Sequence, residues 1–138
     1  MPGSYWQLFY HFVWTTNQRA PLITPEIRDR LFRYIRKKCE EHRARVYAIG
    51  GIKDHIHLLV SLPPDIALSK FVADLKGASS HFVNHELLGR RRFYWQEGYG
   101  VLSIAAKDVK RVVDYIEHQE DRHRDREIWL SMEKCEVE

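Results

Sequence analysis

The spacing of apolar positions along the chain predicts four strands and three helices, beginning with an aromatic strand and an amphipathic helix. Apolar side chains alternate over residues 5–14, which predicts a buried first strand. The members of this strand that share one face are Trp6, Leu8, Tyr10, Phe12 and Trp14. Helical spacing begins after Thr24, with Pro25 at the first helical position, and continues to about His42. The apolar positions of that helix are Ile27, Leu31, Ile35 and Cys39.

A β-hairpin is predicted next, because two apolar segments flank a short polar turn. Its strands cover residues 46–52 and 55–62, and Pro63 ends the second strand. Two glycines in the first of these strands, Gly50 and Gly51, permit a bulge or the close approach of another element.

A second helix, a last strand and a third helix complete the pattern. Asp65 is the predicted N-cap of the second helix, whose apolar stripe continues to about Asn84. The last strand is predicted over residues 93–96 and 99–104, with an interruption between them. The third helix is predicted from about residue 107 to residue 122.

This order of elements is the βαββαβ pattern of a ferredoxin-like or RRM-like α+β fold, an antiparallel sheet with helices on one face. The third helix is an addition to that pattern, and it carries Tyr115. We expect the other sheet face to stay open for a ligand. We also expect residues 1–138 to form a single domain, with about residues 126–138 as a loosely held tail. Because this fold hosts many unrelated activities, function must be argued from particular residues.

Composition and charge narrow the class of protein. A content of 44% apolar and 12% aromatic residues over 138 positions is typical of one globular domain. The net charge of +3, from 22 Lys and Arg against 19 Asp and Glu, permits an anionic partner without requiring one. The two cysteines lack metal-binding or disulfide spacing, and no segment has the pattern of a signal peptide or a membrane span. We therefore expect a cytoplasmic protein with no membrane partner.

Two histidines in the predicted hairpin are candidate metal ligands. Strand alternation places His55 and His57 on one face, opposite the apolar side chains of Ile56 and Leu58. Two imidazoles at this spacing can chelate one divalent cation. The alternative is that both are structural histidines that hydrogen-bond within the core.

A tyrosine on the third helix is a candidate nucleophile. Tyr115 and Gln119 lie one turn apart, on the flank of a stripe formed by Val112 and Ile116. A tyrosine can attack a phosphodiester when a cation neutralises the phosphate oxygens. The alternative, which is commoner for an isolated helical tyrosine, is an amphipathic side chain at the core edge.

A basic and aromatic segment is the third candidate. Arg90, Arg91 and Arg92 lead directly into Phe93, Tyr94 and Trp95. Guanidinium groups beside aromatic planes suit single-stranded nucleic acid, because phosphates need cations and unpaired bases stack. The alternative is a solvated loop followed by aromatic residues that fill the last strand.

Together, these features closely resemble the TnpA-like single-tyrosine HUH transposases of small bacterial insertion sequences, the IS200-like transposase family. The resemblance covers nearly the whole chain, and the order and spacing of its motifs make it specific. The matching segments are HFVWTT, DHIHLLV, LSKFVADLKGASSHFVN, WQEGYG and YIEHQ. The residues after Gln119 carry no motif that adds to it.

The resemblance implies an enzyme that cuts and rejoins single-stranded DNA through a covalent 5′-phosphotyrosine, without ATP. Carried over by position, Tyr115 is the nucleophile. The implied ligands of a divalent cation, Mg²⁺ or Mn²⁺, are His55, His57 and Gln119. The implied partner is single-stranded DNA folded into a hairpin. The residues expected to contact it are Arg36, Lys37, Lys76, Arg90, Arg91 and Arg92.

The resemblance also implies a homodimer whose active sites are shared between subunits, which would separate Tyr115 from His55 within one chain. Two alternatives stay open. One is a domesticated relative that cleaves repetitive hairpins without mobilising its own gene. The other is a non-catalytic single-stranded nucleic-acid binding module on the same fold, which would bind without metal and would survive the loss of Tyr115.

Overall fold

The structure, a computed structural model, describes residues 3–118, in which the predicted order of strands and helices is confirmed. The elements are β1 (Phe9–Thr15), α1 (Pro25–Glu41), β2 (Arg45–Ile52), β3 (His55–Ser61), α2 (Leu68–Phe82), β4 (Gly100–Ile104) and α3 (Val109–Glu117). A π-helical segment, Val83–Leu88, continues α2. The 3-10 turns Asn17–Arg19 and Ala106–Asp108 precede α1 and α3.

The four strands form one antiparallel sheet in the order β2-β3-β1-β4. This is the strand order of a ferredoxin-like sheet, so the predicted α+β fold class is confirmed. β3 and β1 are the central strands, and their register pairs Val13 with His57 and Thr15 with His55. The predicted histidine strand therefore has hydrogen-bonded neighbours on both sides.

The main core lies between one sheet face and helices α1 and α2. It consists of apolar side chains at alternate strand positions and at the helical positions that the sequence predicts. Its largest fully buried members include Phe12, Trp14, Leu31, Ile35, Ile56, Leu58, Phe71 and Leu75. Each such side chain contributes roughly 1.5–3 kcal/mol through burial. This core fixes α1 and α2 on the face opposite the histidines.

The opposite sheet face is covered by α3, so the prediction of an open face is wrong for the residues that the structure describes. A smaller cluster of Ala48, Leu59, Val112, Tyr115 and Ile116 joins α3 to β2 and β3. The helix carries one strongly apolar side, and the sheet face offers it an apolar surface next to the histidines. None of the helices within residues 3–118 combines the length and the apolar character that a bilayer span requires.

Two predicted strand segments are wrong because neither forms a continuous ladder with a neighbouring strand. β1 begins at Phe9, where pairing with both β3 and β4 starts, and the preceding Trp6 is 43% exposed. Residues 93–96 form a single bridge, between Thr16 and Trp95, and then a connection to β4. Aromatic and β-branched content favours strands, but it produces one only where a neighbouring strand supplies hydrogen bonds.

Two predicted helix starts also differ from the structure. α2 begins at Leu68 rather than after Asp65, because the Asp65 carboxylate accepts two hydrogen bonds from the guanidinium of Arg43, at 2.9 and 2.8 Å. α3 begins at Val109 after a 3-10 turn, and its C-terminal part falls at the end of the described residues. The predicted extension to residue 122 and the predicted tail at residues 126–138 lie outside residues 3–118.

Candidate active site

The β2–β3 hairpin presents both histidines from a central strand. His55 and His57 are 1% and 0% exposed, and their ring centroids lie 5.0 Å apart. Gly51, near the end of β2 and just before the turn that leads to His55, has a φ of +152°, which favours glycine. A Cβ at that position would overlap the backbone carbonyl oxygen of His55. The predicted shared face of the two histidines is confirmed, and Gly51 allows the tight connection that supports it.

Each histidine is held at Nδ1 by a different partner. The Nδ1 atom of His55 is 2.9 Å from Oδ1 of Asp54, which accepts a hydrogen bond from it. The Nδ1 atom of His57 is 2.8 Å from Nε2 of His11 on β1, so the two rings share a hydrogen bond. In both residues Nδ1 is engaged in a hydrogen bond, so Nε2 is the ring nitrogen that could bind a cation.

Asp54 is itself held by a strained loop. Nε of Arg19 lies 3.5 Å from Oδ2 of Asp54, and the Arg19 side chain is 56% exposed. Gln18 and Arg19 adopt φ values of 55° and 54°, which non-glycine residues rarely adopt. The loop therefore holds the exposed guanidinium of Arg19 against Asp54, which precedes His55 in the chain and is hydrogen-bonded to it.

Tyr115 lies against the histidines of its own chain. Its ring centroid is 5.4 Å from that of His57 and 6.5 Å from that of His11, both in edge-to-face arrangements. The side chain is 1% exposed and belongs to the buried stripe of α3. The predicted position of Tyr115 on the flank of that stripe is therefore wrong. The structure thus places the predicted nucleophile next to His57, one of the predicted ligands, so the expected separation of the tyrosine from the histidine pair within one chain is not what the structure has.

A glycine on β2 permits α3 to approach this closely. Gly50 pairs with His57 in the β2–β3 ladder, and a Cβ on Gly50 would overlap the backbone carbonyl oxygen of Ile116. The neighbouring residue on the helix is Tyr115. A side chain at position 50 would therefore push the tyrosine away from the histidines.

The donor set fits two ligands of a divalent cation. Two adjacent imidazoles, each hydrogen-bonded at Nδ1, offer two nitrogen donors on the same sheet face. Within residues 3–118, no group of three or more His, Cys, Asp or Glu side chains is arranged to hold a metal ion. The third predicted ligand, Gln119, lies outside the described residues.

The basic segment is an ordered loop that one buried side chain fastens. Asn84, which is 7% exposed, accepts hydrogen bonds at Oδ1 from the backbone N–H groups of Arg92 and Phe93, at 2.9 and 2.7 Å. Its Nδ2 donates to the Phe93 carbonyl at 2.9 Å, and its own carbonyl accepts from the Arg90 N–H. The three arginine side chains of this loop are exposed.

The loop also borders a small cavity. Arg90 and Arg92 line a space of about 280 Å³ with an apolar floor. The remaining lining residues are Pro21, Leu22, Thr24, Ile27, Leu88 and Phe93. Guanidinium groups thus stand beside apolar surface, as the sequence pattern indicates.

The other predicted DNA contacts lie elsewhere. Arg36 and Lys37 are exposed on α1, and Arg36 lines an open groove of about 380 Å³ beside β2. The ammonium of Lys76 donates to the backbone carbonyls of Gln96 and Gly98, both at 2.7 Å. Lys76 therefore fastens the connection to β4, in addition to any role toward phosphate.

The described cysteine is not a rival nucleophile. Cys39 lies on the buried side of α1 and is fully buried. This burial raises the pKa of its thiol from the usual 9.0 to about 12. A thiol with so high a pKa carries almost no thiolate near neutral pH. Cys39 is a packing residue.

A match to one protein family covers the described site. Residues 4–119 match the family model described as transposase IS200 like. The chain is 33% identical over 119 residues to the transposase for insertion sequence element IS200 of Salmonella typhimurium, covering 83% of this chain and 78% of that protein. It is 30% identical over 125 residues to the ISDra2 transposase TnpA of Deinococcus radiodurans, covering 87% of this chain and 89% of that protein.

Solved structures agree with this match. The crystal structure of a transposase from Deinococcus radiodurans R1 superposes with a TM-score of 0.71 at 26% identity, covering 86% of this chain and 95% of that one. A REP-associated tyrosine transposase bound to a REP hairpin superposes with a TM-score of 0.64 at 22% identity, covering 89% of this chain and 74% of that one. The second likeness is one of fold.

Proposed function

The chain belongs to the IS200-like transposase family, and we propose that it cuts and rejoins single-stranded DNA through a covalent bond to Tyr115. The observation that carries this proposal is the 5.4 Å separation between the ring centroids of Tyr115 and His57. A phenol beside His57, one of the two proposed imidazole ligands, fits the chemistry of a tyrosine nucleophile next to a phosphate-binding cation site.

In the proposed step, the phenol oxygen of Tyr115 attacks the phosphorus of a phosphodiester and forms an O–P bond. The bond between phosphorus and the 3′-oxygen breaks, and the proton that the phenol loses is balanced by the proton that the departing 3′-oxygen gains. The 5′-phosphate is then held on the tyrosine. A 3′-hydroxyl of another strand reverses the step and rejoins DNA, so no nucleotide cofactor is needed.

We propose that His55, His57 and Gln119 hold Mg²⁺ or Mn²⁺. When bound, such a cation polarises the phosphate and stabilises the negative charge that develops on the leaving oxygen. The contribution of the chain is to hold the two rings side by side through hydrogen bonds at their Nδ1 atoms, so that Nε2 is the nitrogen that each would offer. The amide oxygen of Gln119 suits a hard cation better than the imidazoles do.

The proposed substrate is hairpin-forming single-stranded DNA. A structural neighbour is a REP-associated tyrosine transposase bound to a REP hairpin, which supports this choice. Arg90 and Arg92 stand beside an apolar cavity, an arrangement that suits phosphates and unpaired bases. We assign the exposed Arg36 and Lys37 of α1, together with Lys76, to weaker phosphate contacts.

Tyr115 must become accessible before it can react. Its side chain is 1% exposed, so α3 has to move from the sheet when DNA enters. Such a movement is compatible with a homodimer in which α3 of one subunit serves the histidines of the other. We propose this dimer as the active form, in a domain that covers the whole chain.

The test is denaturing gel electrophoresis of the protein with single-stranded DNA from the flanks of its own gene, in Mg²⁺ or EDTA. We expect a slower-migrating covalent adduct that requires the cation and disappears in Tyr115→Phe. Tyr47→Phe is the matched control, since Tyr47 packs at the edge of the same cluster and should leave the adduct unchanged.

Other outcomes would redirect the proposal. An adduct that persists in Tyr115→Phe would exclude Tyr115 as the nucleophile. Tight binding without any adduct would favour the non-catalytic binding module. Cleavage of repetitive hairpins elsewhere in the genome, without cleavage at the gene's own flanks, would favour a domesticated enzyme.

A further inference from the structure

A buried hydrogen bond between two imidazoles joins the central strands of the sheet. Nε2 of His11 and Nδ1 of His57 lie 2.8 Å apart, and both side chains are 0% exposed. His11 is paired with Leu59 in the β1–β3 ladder, so the contact to His57 is a diagonal one across the two strands. The ring planes are tilted by 34°, which lets the ring edges meet.

This hydrogen bond has two possible directions, and they differ in consequence. If Nδ1 of His57 carries the proton, it donates to His11, and Nε2 of His57 keeps a lone pair. If Nε2 of His11 carries the proton and donates, a neutral His57 has its own proton on Nε2, where no cation can bind. Which nitrogen of an imidazole is protonated is set by the hydrogen bond that the other nitrogen makes. A residue at position 11 therefore controls whether His57 can be a ligand.

His11 lies among apolar side chains and the rings of His57 and Tyr115. Its neighbours on the same face include Val13 and Leu59, and Phe12 on the other face belongs to the main core. A buried polar ring is costly unless it is hydrogen-bonded, whereas an aliphatic side chain would pack on β1 without that cost. The hydrogen bond to His57 is an interaction that an aliphatic residue at this position could not make.

We propose that His11 is the positioning residue for His57, and that it fixes the His57 tautomer in which Nε2 is the ligand atom. The inference rests on the proposed function, since it assumes that His57 binds a cation. Asp54 has the corresponding place at His55, through a carboxylate in place of an imidazole. The two histidines of the pair are thus oriented by groups from different parts of the chain.

The first test is the tautomer of His57 in the metal-free protein. Long-range ¹H–¹⁵N NMR spectra separate protonated from unprotonated ring nitrogens, and we would record them at about pH 8.5, above the ~6.5 pKa of a free histidine. We expect the proton of His57 on Nδ1. A proton on Nε2 would overturn the proposal, whatever the activity of the enzyme.

The second test is Mn²⁺ affinity, measured by electron paramagnetic resonance on the full chain. Loss of a partner that orients a ligand typically weakens metal binding about 10–100-fold, and we expect this of His11→Leu. His11→Gln retains an acceptor for the Nδ1 proton and should bind within a few-fold of the wild type. His42→Leu is the matched control, since His42 lies on the α1 side of the sheet against Phe71.

The outcomes separate this inference from the proposed function. Unchanged Mn²⁺ affinity in His57→Ala would contradict the cation site itself. Weakened binding in His57→Ala with wild-type affinity in His11→Leu would overturn only the role of His11. If His11→Leu does not fold, His11→Gln decides the question. A loss of Mn²⁺ affinity in His11→Gln as large as that in His57→Ala would show that a hydrogen-bond acceptor at position 11 is not enough to keep His57 as a ligand, which would overturn the proposal.

Discussion

The backbone carbonyl of Ile116 occupies the space where a side chain at Gly50 would begin. Gly50 pairs with His57 across the hairpin, and Tyr115 is the neighbour of Ile116 on α3. The absence of a side chain at one position of β2 therefore sets the separation between the tyrosine and the histidines.

We expect Gly50→Ala to displace α3 and to lower both stability and activity. Forcing a methyl group into a packed contact costs about 1–3 kcal/mol, and the helix carries the proposed nucleophile. Urea unfolding and the yield of covalent adduct are the two measurements. Gly77→Ala is the matched control, because a Cβ at Gly77 on α2 meets nothing within 4 Å. It should stabilise the protein by roughly 0.5–1 kcal/mol. Wild-type adduct yield in Gly50→Ala would show that α3 does not need this close approach.

Reversal of charge in the basic loop should weaken DNA binding in a salt-dependent way. For a single strand, each lost phosphate contact reduces the magnitude of the slope of log affinity against log salt by about 0.7. We therefore expect a glutamate substitution at Arg90, Arg91 and Arg92 together to weaken binding at low salt and to flatten the slope. Fluorescence anisotropy with a hairpin oligonucleotide measures both quantities. An unchanged slope would place the DNA on another surface, such as the α1 face with Arg36 and Lys37.

Asn84 should control the same loop without touching DNA. Its side chain makes three hydrogen bonds to the backbone of Arg92 and Phe93, and Asn84→Ala would leave those buried groups without a partner. Each such group costs about 1–3 kcal/mol. We expect lower thermal stability, weaker DNA binding and a flatter salt slope. Ser80→Ala is the control, since its hydroxyl donates only to Gly77 within its own helix. DNA affinity equal to the wild type in a destabilised Asn84→Ala would limit Asn84 to a structural role.

The sequence predicts what local periodicity determines. The alternation in β3 assigns both histidines to one face, and helical spacing assigns Ile27, Leu31 and Ile35 to the core; the structure confirms both. The errors arise where the conformation of a segment depends on a partner that is far away in the sequence. Residues 5–8 and 93–96 have strand-like composition, yet each makes isolated pairings instead of a ladder: Leu8 accepts a hydrogen bond from Leu62, and Trp95 forms a bridge with Thr16.

The unpredicted parts of the site have the same origin. His11 is a polar residue in a largely aromatic strand, and its partner lies 46 positions away. Tyr115 lies at the edge of the apolar stripe of its helix, and it is buried because the sheet offers it the two rings of His11 and His57. A histidine within the predicted buried first strand is the local sign that could have revealed His11.

Cys39 should resist modification in the folded protein. Its pKa of about 12, raised from 9.0 by burial, means that the folded state holds the thiol proton more tightly than the unfolded state does. This contribution to stability is complete below about pH 9 and is lost as pH rises toward 12. We expect iodoacetamide to leave the Cys39 peptide unmodified near pH 8 until urea unfolds the chain, as read by mass spectrometry. Rapid labelling of the folded protein would show that the α1 packing opens readily.

Two substitutions should separate the packing role of Tyr115 from its chemical role. Tyr115→Phe keeps the ring against His57 and removes the hydroxyl, so the free energy of unfolding should change by about 1 kcal/mol while the covalent adduct is lost. Tyr115→Ala removes a fully buried ring from the α3 cluster and should cost about 3–5 kcal/mol, typical of aromatic truncations in a core. Urea unfolding of both variants, beside the gel assay, makes the comparison. If Tyr115→Ala were as stable as Tyr115→Phe, the ring would not hold α3 on the sheet. The helix would then be free to leave without the energetic cost that its buried tyrosine predicts.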